Sequence, residues 1–162
     1  MNKKVPTYER IIPTTNITPK NIVDTISNEL NWGAEKLRDD ILENVALEET
    51  IILTGHSLGG AIAQILGLWF EDDAYEVQIY TFGSPSVMIE QMWEDGHFRV
   101  YLENDPVPFL PPFPYVHWGI RINAETLDWD EDHPIGDVTK IDARDHSIKE
   151  YLKVLRRHNG RL

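Results

Sequence analysis

The sequence predicts an α/β fold in which a small, mostly parallel sheet is flanked by helices. From residue 50 onward, short runs of apolar and β-branched residues alternate with longer segments whose apolar residues recur at helical spacing. Such alternation is typical of βαβ units, whose neighbouring strands run parallel. The 162 residues, of which 41% are hydrophobic and 26% charged, also have the composition of one globular domain. We therefore expect a single domain over residues 1–162, with residues 1–33 as an N-terminal extension.

The segment before residue 50 predicts one strand and two helices. The strand is expected at residues 5–12. Thr18 and Pro19 begin the first helix, because Thr is a good N-cap and Pro suits the first helical position. Gly33 is expected to interrupt this helix, and a second helical pattern then runs over residues 37–47.

After residue 50, the pattern predicts four strands and three helices. The strands are expected at residues 50–54, 77–82, 98–102 and 115–122. The helices are expected at residues 59–70, 87–93 and 145–157. Two segments are predicted to be irregular, the proline-rich residues 104–114 and the acidic residues 123–141. The inward face of the last helix is expected to carry Ile148, Tyr151, Leu152 and Leu155.

One motif carries chemistry, since Gly55-His56-Ser57-Leu58-Gly59 lies between a predicted strand and a predicted helix. This G-x-S-x-G pattern is typical of a strained turn that projects a serine hydroxyl above a sheet. Side chains at the two glycine positions would collide in that turn, so both positions are expected to require glycine or a very small residue. The helix that follows points its N-terminus at the serine, where free amides favour negative charge. We therefore predict Ser57 as a nucleophile, the Leu58 amide as an oxyanion donor, and the other three residues as supports of the site.

A serine nucleophile needs a base, which is usually a histidine held by a carboxylate. After such an elbow, the acid and then the histidine follow along the chain. His146 is the preferred base, because it precedes the last predicted helix and can reach over the end of the sheet. His117 and His133 are the alternatives. Three others are set aside: His56, whose side chain should point away from the serine, His97, which begins a strand and is expected to be exposed or to cap it, and His158, which lies in a basic helix end near the C-terminus.

Asp105 is the preferred acid. It follows the predicted strand at residues 98–102, at the carboxyl end, where the active sites of open α/β sheets lie. The prolines that follow it stiffen its loop. The alternatives are Asp145, which would more naturally cap the last helix, and the acidic segment with Asp128, Asp130 and Asp132.

Five blocks of the sequence resemble the class 3 (fungal-type) lipase family, in the order that the family has. They are GHSLGGA at residues 55–61, YTFGSP at 80–85, NDPVPFLPP at 104–112, His117 with Gly119, and Asp145-His146 with Tyr151. The resemblance covers about residues 34–157. It implies an α/β-hydrolase fold, small or shortened at its N-terminal side, and hydrolysis of glycerolipid esters.

The resemblance also implies roles for individual residues. The family's triad falls on Ser57, Asp105 and His146. His117 is implied to support the site rather than to act as its base, and residues 82–85 to form a loop near the pocket.

Members of the family also carry a second oxyanion donor upstream of the elbow, followed by a helical lid. No matching motif stands in residues 1–50, where Thr14 and Thr15 are the only candidates. A missing donor costs roughly 10²–10³ in turnover. The sequence therefore predicts either reduced activity or a partner that completes the fold.

Composition excludes several classes of function. Without cysteine there is no thiol nucleophile, disulfide or Cys-based zinc site. The net charge is −12, and residues 51–140 alone carry 3 basic and 15 acidic groups, which argues against nucleic acid and anionic lipid as partners. The acidic residues 128–132 lack the spacing of a calcium loop and are predicted to be solvated, so no metal or cofactor is expected. Residues 109–115 and Trp118 either line an acyl pocket or pack against the sheet.

The sequence as a whole predicts a serine hydrolase that cleaves carboxylic esters through an acyl-enzyme, with acylglycerols or related lipids as substrates. The alternatives are a catalytically impaired, lipase-like binding module and an acyl transferase or thioesterase that uses the same triad. A lipid or other ester substrate and transient contact with a lipid interface are expected, whereas a nucleic-acid partner and a transmembrane segment are not. Residues 1–10 show no signal peptide, so the cytoplasm is the default expectation.

Overall fold

The computed structural model describes residues 32–46, 49–88, 96–112, 114–130 and 141–158. The strand expected at residues 5–12 and the helix start at Thr18 and Pro19 lie outside these residues. The single domain over residues 1–162 stays a prediction.

The first described helix, α1, covers residues 32–42. The prediction that Gly33 interrupts the helical pattern was wrong, because Gly33 is itself helical. A helical glycine costs only about 1 kcal/mol relative to alanine. Its neighbour Ala34 is fully buried in the main core cluster, and this packing offsets that cost.

The sheet confirms the predicted α/β architecture. Four strands pair in parallel and in chain order: β1 (Ile51–His56), β2 (Val77–Phe82), β3 (His97–Tyr101) and β4 (Ile120–Asn123). Because the strands are parallel, their carboxyl ends meet at one edge of the sheet. The chain leaves that edge through Ser57 after β1, Gly83 after β2 and Leu102 after β3.

The fourth strand is shorter than predicted. Residues 115–119 do not belong to it, since Val116 makes an isolated antiparallel bridge with Met88 and Gly119 interrupts the extended run with a φ of +85°. The same bridge shows that the helix expected from residue 87 does not begin there. The rest of that predicted helix, residues 89–93, lies outside the described residues.

A fifth strand, β5 (Trp129–Asp130), pairs antiparallel with β4. The prediction of an irregular structure throughout residues 123–141 was therefore wrong at this point. The strand has two residues, too few for a period-two alternation to appear in the sequence.

Helices pack against the sheet in two core clusters. The helix α2 (Leu58–Asp72) packs against β1 and β2, and its Phe70 is fully buried in the main core cluster with Leu53 and Ile79. A second cluster, with Val100 and Leu102, packs against the last helix, α3 (Ile148–Arg156). Among the described residues, no helix is both long and apolar enough to cross a membrane.

The inward face of α3 differs from the prediction. Tyr151 and Val154 are buried, whereas Ile148 and Leu152 are exposed. The predicted face assumed a helix that starts at residue 145. The helix in fact begins at Ile148, after a 3₁₀ turn at Ala143–His146, so Ile148 lies at its exposed first turn, and the face that packs against the second cluster carries Tyr151, Val154 and Leu155.

Candidate active site

Ser57 occupies a strained turn between β1 and α2. Its φ of 56° and ψ of −126° lie outside the regions that non-glycine residues favour. The turn is held by the Ser57 amide, which donates to the carbonyl of Phe82 at 3.0 Å. Although Ser57 is the N-cap of α2, its side chain makes no capping hydrogen bond, so the hydroxyl is left for another partner.

The two glycines of the motif differ in what they contribute. A Cβ on Gly55 would lie 2.2 Å from the carbonyl oxygen of Gly59, a backbone atom that cannot move aside. A Cβ on Gly59 would meet nothing within 4 Å. The predicted collision, which would require glycine or a very small residue, therefore occurs at Gly55 and not at Gly59, where a Cβ would point into open space. The close approach falls instead between Gly55 and the backbone of α2.

The two glycines offer a matched pair of alanine variants. We expect Gly55→Ala to lower the free energy of unfolding by about 3 kcal/mol. This is the upper end of the usual cost of overpacking, because the added Cβ would meet backbone atoms. Gly59→Ala should change it by less than about 1 kcal/mol, because alanine suits a helix. Urea unfolding followed by circular dichroism measures both. Equal losses of stability in the two variants would contradict the contacts described above.

The structure brings together Ser57, His146 and Asp105, the three residues predicted as a triad. Nε2 of His146 lies 2.7 Å from Oγ of Ser57, and Nδ1 lies 3.0 Å from each carboxylate oxygen of Asp105. A neutral imidazole that carries its proton on Nδ1 satisfies both contacts, because it donates to the carboxylate and accepts from the hydroxyl. This is the connectivity of an acid–base–nucleophile chain.

Asp105 is completely buried at the carboxyl end of β3. Besides His146, two groups donate to its carboxylate: the amide of Val107 at 2.9 Å and the hydroxyl of Tyr151 at 2.6 Å. A buried carboxylate is costly unless it is paired and hydrogen-bonded. These two hydrogen bonds offset the cost of burying the charge. They also fix the orientation in which the carboxylate accepts from the imidazole of His146.

The contact of Tyr151 with Asp105 was not predicted, because helical spacing indicates only that the Tyr151 side chain faces inward. Its hydroxyl donates to Asp105 and accepts from the amide of Leu102 at 3.2 Å. Burial, and next the hydrogen bond to Asp105, raise the pKa of Tyr151, so the phenol keeps the proton that it donates. One feature of the sequence could have indicated this contact: Tyr151 belongs with Asp145 and His146 to the last of the blocks that resemble the family.

Gly83 explains why the block at residues 82–85 lies near the site. Its φ is +55°, and a Cβ there would lie 2.6 Å from Oδ2 of Asp105 and 2.8 Å from the hydroxyl of Tyr151. Only glycine leaves room for these two side chains to meet below the histidine.

The other histidines have different places. His117 contacts the carbonyl of Pro108 through Nε2, in the loop that carries Asp105, and it does not contact Ser57. Its neighbour Trp118 is 2% exposed and belongs to the main core cluster, so it packs in the core and lines no acyl pocket. His133 lies outside the described residues.

His97 is fully buried, so the prediction that it is exposed or caps a strand was wrong. Its Nε2 lies 3.2 Å from Oγ1 of Thr81 on the neighbouring strand. Burial, followed by the positive charge of Arg99 and by His117, lowers the pKa of His97 to about 2. The position of His97 at the start of a strand does not predict this burial. In the structure its ring packs against Trp118, with the ring centroids 4.4 Å apart.

This buried histidine makes the folded state sensitive to acid. Folded His97 stays neutral, whereas in the unfolded chain it binds a proton below pH 6.5, so the stabilisation is full above that pH and is lost as pH falls towards about 2. We expect His97 to contribute a slope of up to about 1.4 kcal/mol per pH unit in that window. Urea unfolding of wild type and His97→Asn between pH 7 and pH 5 measures the difference. Parallel stability curves would contradict a neutral buried His97.

The ring nitrogens of His146 contact Asp105 and Ser57 and neither of the alternative acids whose side chains are described, Asp145 and Asp128. Asp145 was expected to cap the last helix, but the N-cap of α3 is Ser147, and Asp142 caps the preceding 3₁₀ turn. Asp128 lies at the turn before β5, where its carbonyl accepts from Asn123. Asp132 lies outside the described residues, and among those described there is no cluster of three or more histidine or acidic side chains that could hold a metal.

The family described as Lipase (class 3) matches residues 13–115, more than half of the chain. The chain belongs to the class 3 lipase family. The match begins well before residue 34, where the resemblance found in the sequence begins, and it includes Thr14 and Thr15, which lie outside the described residues.

Individual relatives are lipases of fungi and plants. The chain is 32% identical over 101 residues to the secreted mono- and diacylglycerol lipase 1 of Fusarium solani, covering 57% of this chain and 30% of the relative. It is 30% identical over 121 residues to the triacylglycerol lipase OBL1 of Arabidopsis thaliana, covering 62% of this chain and 23% of the relative. The aligned region thus spans less than a third of either relative.

Among solved structures, Lip2 lipase from Yarrowia lipolytica aligns with 80% of this chain and 54% of its own, at 20% identity and a TM-score of 0.47. The Fusarium relative is named as secreted, and the default expectation of a cytoplasmic location for this chain stays a prediction.

Proposed function

We propose that this member of the class 3 lipase family is a serine hydrolase that cleaves carboxylic esters of acylglycerols. The observation that carries the proposal is the continuous hydrogen-bonded chain from Ser57 through His146 to Asp105, at 2.7 and 3.0 Å. The names of the Fusarium and Arabidopsis relatives support acylglycerols as the substrate class. No cofactor is required by this chemistry.

In the proposed mechanism, Ser57 attacks the ester carbonyl while Nε2 of His146 takes the hydroxyl proton. His146 then gives that proton to the leaving alcohol, and Asp105 stabilises the imidazolium that forms between the two transfers. Water, activated by the same imidazole, hydrolyses the acyl-enzyme and regenerates the serine. Each step uses a hydrogen bond that is already formed in the free protein.

The Leu58 amide is the proposed oxyanion donor. It is the first amide of α2, and the first four amides of a helix have no intrahelical acceptor. The helix dipole adds to the stabilisation of negative charge at this point. A second donor from the segment with Thr14 or Thr15 is part of the proposal, and those residues lie outside the described part of the chain.

Charge and exposure support a neutral, apolar substrate. The excess of acidic groups in residues 51–140 disfavours an anionic ester beside the nucleophile. Two large apolar side chains on the segments that carry Ser57 and Asp105 are exposed: Leu58, which follows the nucleophile, is 53% exposed, and Leu110, in the loop after Asp105, is 51% exposed. They offer apolar contact to an acyl chain or to a lipid interface.

Hydrolysis of dispersed diacylglycerol tests the proposal. A small neutral ester, p-nitrophenyl butyrate, is the second substrate, and an anionic phospholipid in the same dispersion serves as the comparison. We expect release of fatty acid from the diacylglycerol, release of nitrophenol, and slower attack on the anionic lipid. An absence of turnover on every ester would favour the lipase-like binding module. Turnover of a thioester alone would favour the thioesterase alternative.

A further inference from the structure

His56 contacts both the backbone and the ring of the proposed base, His146. It ends β1 and directly precedes Ser57. Its Nε2 lies 2.8 Å from the backbone carbonyl oxygen of His146. A carbonyl can only accept, so Nε2 of His56 carries a proton and donates it.

The two imidazole rings are also stacked. Their centroids lie 4.8 Å apart with an interplanar angle of 28°, and the His56 ring meets Tyr151 edge-on at 5.7 Å. His56 therefore touches both residues that surround Asp105: the histidine that Asp105 orients and the tyrosine that donates to Asp105.

These contacts matter because His146 has few other constraints. It is the last residue of the 3₁₀ turn Ala143–His146, which joins α3 only through Ser147. Its side chain is 23% exposed, so it is only partly enclosed by its neighbours. Asp105 fixes Nδ1 but cannot by itself fix the backbone from which the ring extends. A donor to the His146 carbonyl fixes that backbone, and a stacked ring limits rotation of the imidazole.

We propose that His56 is a positioning residue that couples the nucleophile strand to the base: its hydrogen bond holds the His146 backbone, and its ring holds the His146 imidazole in line with Ser57. The proposal deepens the proposed hydrolase function and rests on it for its kinetic consequence. His56 itself exchanges no proton with the substrate. Because His56 directly precedes Ser57, it links the position of the base to that of the nucleophile, although the two residues are 89 positions apart in the sequence.

Three variants separate the two contacts. His56→Phe keeps a ring for stacking and removes the donor, His56→Gln keeps a donor and removes the ring, and His56→Ala removes both. We expect kcat to fall about fivefold in each of the first two and about 30-fold in His56→Ala, in keeping with one hydrogen bond and one aromatic contact. KM should change less than about twofold, because His56 is not proposed to touch substrate. Retention of the fold is checked by circular dichroism.

A second measurement does not depend on hydrolysis. The Nδ1 proton of His146, shared with Asp105, should give a strongly downfield proton NMR signal that disappears in His146→Ala. We expect it to broaden or vanish in His56→Ala and to persist in Leu37→Ala, a matched truncation of an exposed apolar residue on α1. Loss of this signal in His56→Ala supports the positioning role even if wild type hydrolyses no ester, in which case only the hydrolase proposal fails. An unchanged signal together with an unchanged kcat would overturn the inference.

Discussion

Replacing Ser57 with alanine is expected to abolish ester hydrolysis, with kcat falling by about 10⁴- to 10⁶-fold, as for removal of a triad nucleophile elsewhere. The physical reason is that no other hydroxyl is recorded in contact with the imidazole of His146 in the described part of the chain. Alanine removes the attacking oxygen while preserving the turn, since the Ser57 side chain makes no capping hydrogen bond.

The measurement is single-turnover and steady-state hydrolysis of p-nitrophenyl butyrate. His146→Ala should cost about as much as Ser57→Ala, and the double variant should cost no more than either, because the two groups act as a unit. Residual activity in Ser57→Ala equal to that of wild type would mean that a different residue, or none, is the nucleophile.

Asp105→Asn is expected to lower kcat by about 10⁴-fold while the fold is retained, as when the triad acid is made neutral elsewhere. The carboxylate accepts from three donors at once: Nδ1 of His146, the amide of Val107 and the hydroxyl of Tyr151. An asparagine side chain has a single acceptor oxygen, so its NH₂ group must face at least one of these donors. The imidazole then turns or adopts the wrong tautomer, and it no longer accepts from Ser57.

Asp128→Asn is the matched control, because Asp128 is an exposed acid at the turn before β5 and was an alternative acid on sequence grounds. It should leave kcat within about twofold of wild type, as surface substitutions generally do. Comparable losses in the two variants would contradict the assignment of Asp105.

Tyr151→Phe should give an intermediate result. It removes one hydrogen bond to a buried carboxylate without changing the volume of the ring, and such a bond contributes about 1.5–3 kcal/mol, or roughly 10- to 100-fold if the whole loss appears in kcat. Steady-state kinetics measures it. A Tyr151→Phe variant as inactive as Asp105→Asn would show that Asp105 depends on the tyrosine for its position.

Local rules account for the parts of the fold that could be predicted. The strand at Val77–Phe82 has the predicted bounds, because a run of apolar and β-branched residues ends at Gly83 and Pro85. The proximity of Ser57, Asp105 and His146 could also be predicted, since Ser57 and Asp105 follow the carboxyl ends of parallel strands, where side chains meet.

Contacts between distant segments account for what was missed. The buried His97 ring packs against Trp118, which lies 21 positions away, and nothing in the local sequence around His97 predicts that contact. The hydrogen bond from Tyr151 to Asp105 spans 46 positions. Gly59 was misjudged for a related reason, since the space around a Cβ depends on how closely β1 and α2 approach rather than on the motif.

The central claim is that Ser57 is a nucleophile activated by His146, and covalent labelling tests it most directly. A fluorophosphonate should react with the wild-type chain, and mass spectrometry of the digested protein should locate one adduct on Ser57. Labelling should be lost in Ser57→Ala and strongly slowed in His146→Ala. No adduct on the wild-type chain, or an adduct on a residue other than Ser57, would contradict the account.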